Sequence, residues 1–359
     1  MNKAMFRELH KRSLDFLVAV DATTRTTRAL PPHRAARAGL TAAWRAWVDV
    51  LRRRDGESVS VFQLRADGDF GPPEAGAALT ELLVEAMRVH DPVRLRSWQS
   101  SEVMRLATLG FAAGLYLARP NVVVEPTLAL QKWLKRTDIG EEISTEMFQL
   151  PKPAVFLHFG PEMSDAVDST LWAHIDEPVT TIGVYLFDTR VGSRRDLVFI
   201  PVGARTSQPG SCDLYQTIQF VIEDERDPLM DHVRKTALSA GAESKVLEGM
   251  VQMCIKVMLY LRTAGAVCTT DSRGDDAMER LKRVGDRKAS IVERRLSSRY
   301  NQIIAGPQAI SQKAENEVTA HWRRGHLRMQ PYGPQSSLRK LIFVAPVLVG
   351  AERFNAGSI

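Results

Sequence analysis

The sequence predicts an α+β fold: an N-terminal helical domain, then a mixed domain with a mainly antiparallel sheet, a packed amphipathic helix and a C-terminal β-hairpin. Three observations predict it. Apolar residues recur at helical spacing through the first 145 residues. From about Phe148 the pattern changes to short β-branched and aromatic runs. Near the carboxyl end, basic residues alternate with apolar ones, a Pro/Gly turn follows, and an apolar run closes the chain. The expected domains are 1–145 and 146–359.

In the first domain, Met5–Val20 and Thr41–Leu51 are amphipathic; the second aligns Ala42, Trp44, Trp47, Val48 and Leu51. TTRTTRALPPHR between them reads as a connection. A helix over about 74–89 stops at Asp91–Pro92, and another over 102–118, capped by Ser100 or Ser101, stops at Arg119–Pro120. Asp67 and Asp69 lack the further carboxylates of a calcium loop and read as turn residues.

In the second domain, AVFLHFG (154–160), TTIGVYLFD (180–188) and RDLVFIPVG (195–203) read as three antiparallel neighbours, the last two joined by a TRVGSR turn. Val246, Leu247, Met250, Val251, Cys254, Ile255, Met258 and Leu259 form one helical stripe that fits the face of a sheet. Residues 269–315 are polar and charged and read as a mobile loop or an exposed helix.

Charge is unevenly spread. Lys and Arg outnumber Asp and Glu by 12 to 4 in residues 1–54 and by 14 to 5 in 281–359, within a net charge of +6. Basic ends around an acidic centre fit either contact with nucleic acid or attraction within the chain. Cys212, Cys254 and Cys268 have no metal-ligand spacing and fit reduced thiols of a cytoplasmic protein. Phe16–Val20 is too short for a signal peptide, and Leu106–Ala118 falls short of the roughly 20 residues of a membrane span. No P-loop and no dinucleotide-binding glycine motif is present, so neither an ATP site nor a nicotinamide site is expected.

The most informative stretch is HWRRGHLRMQPYGPQSSLRKLIFVAPVLVG, residues 321–350. As a strand it places Trp322, Arg324, His326, Arg328 and Gln330 on one face, and Leu327 and Met329 on the other with His321 and Arg323. Pro331-Tyr332-Gly333-Pro334 breaks the strand, and Leu341–Val349 supplies a buried partner. The candidate binding residues are Trp322, Arg323, Arg324, His326, Arg328, Gln330 and Tyr332, because guanidinium forks and aromatic rings hold phosphates, stacked bases or peptide carboxylates. Neither strand nor helix geometry aims His321 and His326 at one point, so no metal site is expected of them.

Three readings stay open. In one, the charges are solvating groups that blunt an edge strand. They are otherwise a binding surface for RNA or peptide, or the machinery of a metal-independent ribonuclease. In the last, His321 or His326 serves as acid and base, with Arg324 and Arg328 on the developing phosphorane charge. Elsewhere, His158 reads as a core histidine, and His174 near Asp176 and Glu177 as a solvated turn. Ser164, Ser169 and Ser211 lack a nucleophile-elbow context.

From residue 148 onward, the Leu150–Pro151 entry, GVYLFD (183–188), RRDLVFIPVG (194–203), MLYL (258–261) and the 321–350 motif together resemble a group of phage- and plasmid-borne proteins. That group is similar to the type V-A anti-CRISPR family that blocks biosynthesis of the effector nuclease. The resemblance implies a cytoplasmic, cofactor-free binding protein that recognises a nascent polypeptide and suppresses its production at the ribosome. Its implied partners are a protein or nascent peptide target and RNA or the ribosome, with no membrane.

Overall fold

The computed structural model describes residues 3–24, 29–55, 83–88, 92–93, 100–171, 178–191, 194–205, 212–215, 218–239, 244–263, 265–271, 301–308 and 321–349. Asp67, Asp69, the 174–177 cluster, Ser211 and the charged 272–300 stretch lie outside these residues.

The chain opens with α1 (Lys3–Thr24), α2 (Pro31–Arg37), α3 (Leu40–Asp55) and α4 (Ser100–Ala118). The two prolines expected to lie in a connection instead start α2, where a missing N–H costs nothing because first-turn donors have no helical partner. Phe16 of α1 stacks on Trp47 of α3 with centroids 4.9 Å apart, and Trp44 meets Phe111 of α4 edge-on at 5.6 Å.

β1 (Asn121–Pro126) and β2 (Thr137–Ile139) follow within the stretch read as helical, separated by α5 (Leu128–Lys135). Then come β3 (Ala154–His158), α6 (Pro161–Leu171), β4 (Val179–Val191), β5 (Arg194–Arg205), β6 (Cys212–Tyr215) and β7 (Ile218–Ile222). α7 (Leu229–Ser239), α8 (Ser244–Arg262), β8 (Cys268–Asp271) and β9 (Gln302–Ala305) complete the main body. The 269–315 stretch thus contributes two strands where a loop or helix was expected; both have only four residues, and β8 is mostly exposed, so neither carries a periodic signal.

Eight strands form one sheet in the order β6-β5-β4-β3-β1-β9-β8, with β7 also pairing β5. β3, β4 and β5 are antiparallel neighbours, as the sequence predicts. The β4–β5 ladder extends to Val191↔Arg194, so most of the expected turn between them is paired strand. β1 runs parallel to both β3 and β9.

Helices cover both faces. Val123, Phe156, Tyr185, Phe187, Val198 and Ile200 pack under α1–α4, while Val124, Val155, Leu157, Leu186 and Phe199 pack under α5–α8. Coverage on both sides explains why AVFL reads as a continuous apolar run. The striped helix predicted over 246–259 is α8, with Met250, Cys254 and Met258 fully buried against the sheet. Burial in that apolar layer pushes the Cys254 thiol up, as expected of a core cysteine. Ser164 is likewise structural, its hydroxyl donating to the Thr181 carbonyl at 2.8 Å. No helix among the described residues is long and apolar enough to cross a membrane.

Candidate binding surface

A short sheet, in the order β12-β11-β2, stands on the carboxyl end of this scaffold. In it, β11 (Gly325–Tyr332) and β12 (Leu338–Val344) form the hairpin beside β2, while β10 (His321–Arg323) and β13 (Val347–Val349) pair as a separate two-stranded ladder. The expected single strand over 321–330 is therefore interrupted at Arg324. Both ladders nevertheless share one register, since Arg323 faces Val347 and His326 faces Val344 with two residues on each strand between them. Pro346 lies in this gap and has no N–H to give a ladder. Gly325 is required opposite it, because a Cβ there would stand 2.7 Å from the Val344 carbonyl and 2.8 Å from Pro346 Cδ.

The inner face fixes the hairpin. Leu327 and Leu341 are buried, and Phe343 meets Tyr260 of α8 edge-on at 5.2 Å. Beneath β2, Lys256 of α8 is buried and its ammonium donates to the Leu134 carbonyl in the last turn of α5 at 3.2 Å. Burial holds its pKa below the usual lysine value; Asp138 opposes this and Arg324 adds to it. Segment 136–142 straps the far side of β11. Gly325 N–H donates to the Arg136 carbonyl at 3.0 Å, Gly140 N–H to the Leu327 carbonyl at 2.8 Å, and Met329 N–H to Glu142 Oε1 at 3.0 Å.

The outer face carries the predicted chemistry. His326 and Arg328 are exposed and Gln330 is half-buried, all of one strand parity, while Leu327 between them is sealed in. Arg328 donates to Gln330 Oε1 at 3.1 Å, which sets the two side chains side by side. Tyr332 extends the row, with the Lys340 ammonium 5.5 Å from its ring centroid. Arg324 is exposed but turns sideways, pairing with Asp138 at 3.3 Å. Trp322 and Arg323 lie in β10 with His321, and the side chains of these three are outside the described residues.

β12 adds groups that the sequence reading did not single out. Its residues facing Val344↔His326, Ile342↔Arg328, Lys340↔Gln330 and Leu338↔Tyr332 share the outer face. Leu341 is buried, but Val344 is exposed where Leu341–Val349 was expected to supply a buried partner strand, and Leu338 before that run is exposed too. Such an edge position leaves one face of the apolar run in solvent. Alternation in SLRKLIFV carries that signal, since Lys340 sits two residues from both Leu338 and Ile342. Residues 325–344 contain no Asp or Glu. The surface is thus a basic and aromatic ribbon with apolar patches, suited to holding an anionic or amphipathic guest.

His326 faces Val344, and His321 lies five residues back opposite Val349. Among the described residues no group of three or more His, Cys, Asp or Glu side chains is placed to hold a metal ion. His158 is half-buried at the end of β3; burial lowers its pKa, with Glu125 opposing.

A family model described as AcrVA2-like, the anti-CRISPR type V subtype A2 family, matches residues 124–351. The match begins within β1 and runs past β13, so it takes in the central strands, α5–α8 and the whole hairpin. No curated protein and no solved structure matches the chain.

Proposed function

The chain belongs to the AcrVA2-like family of type V subtype A2 anti-CRISPR proteins, and on that premise we propose that it inhibits its target by binding a protein as that protein is made. The partner is the emerging polypeptide of the target, and binding suppresses the target's production at the ribosome. The outer face of β11 and β12 makes the contact, through His326, Arg328, Gln330, Tyr332 and Lys340. The observation that carries this reading is the family match across the full hairpin, whose outward face combines cations, an amide, a ring and apolar side chains without an acid. Basic ends of the chain favour the anionic surroundings of a ribosome.

Cell-free translation of a type V effector nuclease, with and without the purified chain, tests this. Full-length nuclease falls when the chain is present, while an unrelated reporter translated in the same tube does not. An Arg328→Glu/Lys340→Glu variant restores the yield. Equal nuclease yield with and without folded protein contradicts the proposal, and RNA cleavage in the absence of ribosomes redirects it to the nuclease alternative.

A further inference from the structure

We propose that the open edge of β12 is a pairing site, where an extended segment of a partner protein, acidic at one end and apolar along the rest, adds as a further strand. This rests on the reading that the chain binds a protein, and it names the backbone geometry and chemistry of that binding.

Among the described residues β12 is the last strand of its sheet, and its one ladder is to β11. Among the described residues, no other backbone bond engages Leu338–Val344. An edge strand of this kind presents a row of unpaired N–H and C=O groups, and natural proteins blunt such rows with prolines, bulges, charges or extreme shortness. β12 has seven residues, about 24 Å at the usual rise per residue. It contains no proline, and its register with β11 runs without a shift from Val344 to Leu338. Its charges, Arg339 and Lys340, sit at one end; Leu341-Ile342-Phe343-Val344 carries none. The opposite edge of the same sheet is different: β2 has only three residues and belongs to the 136–142 strap that bonds β11. The long open edge of this sheet is thus on the strand whose outer face also exposes Leu338 and Val344.

Charge complementarity identifies the guest. Arg328, Arg339 and Lys340 lie on a hairpin with no carboxylate, so an added strand gains from acids beside Lys340 and from apolar side chains beside Ile342 and Val344. Main-chain bonds supply affinity and alternate side chains supply selectivity, as in other strand-addition complexes.

The test uses the full chain and a fluorescent, end-blocked hexapeptide of two Glu followed by four Val, together with its reverse sequence. Fluorescence anisotropy at low salt should show binding that weakens at least tenfold when alternate peptide amides are N-methylated. A Lys-for-Glu peptide and a Lys340→Glu protein should each weaken it at least fivefold. Hydrogen exchange should show that the β12 amides pointing away from β11 are fast in the free chain and slow with peptide. Equal binding of the N-methylated peptide, no binding, or preference for a uridine oligonucleotide overturns the proposal. So do β12 amides pointing away from β11 that are already protected in the free chain, or a dimer in sedimentation that dissociates on Ile342→Lys, since another segment or a second copy then fills the edge. N-methyl-sensitive pairing with unchanged nuclease yield sinks only the proposed function; suppressed yield with N-methyl-insensitive binding sinks only the edge.

Discussion

Arg195, 1% exposed at the side chain, forks onto Asp188 with Nη2 at 2.6 Å and Nε at 3.0 Å. The same guanidinium donates to the Thr145 carbonyl at 3.2 Å and to the Phe148 carbonyl. One buried cation therefore joins the β4–β5 ladder to the loop that precedes β3.

Removing its partner should be costly. Asp188→Ala leaves a buried charge with only carbonyl acceptors, and a loss of about 3–5 kcal/mol is expected from broken buried pairs. Asp188→Ala/Arg195→Met should recover much of it, because the charge leaves with its partner. Urea midpoints of the three proteins check this; a single-variant loss under ~1 kcal/mol contradicts the pin.

The pair of Arg324 with Asp138 is of another kind, with side chains 72% and 51% exposed. Arg324→Ala should change stability by less than about 1 kcal/mol, and salt should erase the difference. A larger, salt-independent loss would show that this arginine holds β11 to β2 instead of serving a guest.

Two glycines should respond in opposite directions to alanine. A Cβ on Gly114 of α4 would stand 2.3 Å from the ring of buried Trp44, so overpacking of about 1–3 kcal/mol should outweigh the helix-propensity gain of roughly 1 kcal/mol. Gly249 of α8 has nothing within 4 Å of the same added atom. Gly249→Ala should stabilise by about 0.5–1 kcal/mol. Thermal melts of both variants decide; equal shifts contradict the packing described for α4.

Acid should weaken the fold below neutrality. Burial lowers the pKa of His158, with Glu125 opposing. Burial does the same to His232, where Lys235 adds to the effect and Asp227 and Asp231 oppose it. The unfolded chain, with ordinary values near 6.5, then takes up protons that the folded chain resists. Stability is therefore full above that pH and falls as pH drops toward the folded values. Urea midpoints at pH 7 and pH 5 should differ less in His158→Gln/His232→Gln than in the parent chain.

Long periodic elements were legible in the sequence because one face of each meets a core. Met5–Val20, Thr41–Leu51 and 246–259 lie within α1, α3 and α8, and three apolar runs became β3, β4 and β5. β8 and β9 were not legible: Thr269 and Thr270 are exposed, and β9 has only four residues beside a parallel partner brought from residue 121. β1 escaped notice although the Pro120 break precedes it, since a three-valine run is too short to tell a buried strand from a buried helix by periodicity. At the hairpin, the alternation of Arg328 and Gln330 with Leu327 and Met329 could be read locally. Asp138, Glu142 and Lys256 could not, because they reach the hairpin from distant segments through tertiary contact alone.

The central claim is that the outward face of β11 and β12 recognises a protein guest, and one titration tests it most directly. The emerging amino-terminal segment of a type V effector nuclease, as a labelled synthetic peptide, is titrated with the parent chain and with Arg328→Glu/Lys340→Glu. At the double variant a loss of tenfold or more in affinity is predicted, with circular dichroism and melting temperature unchanged. Equal affinity of the two folded proteins would contradict the account.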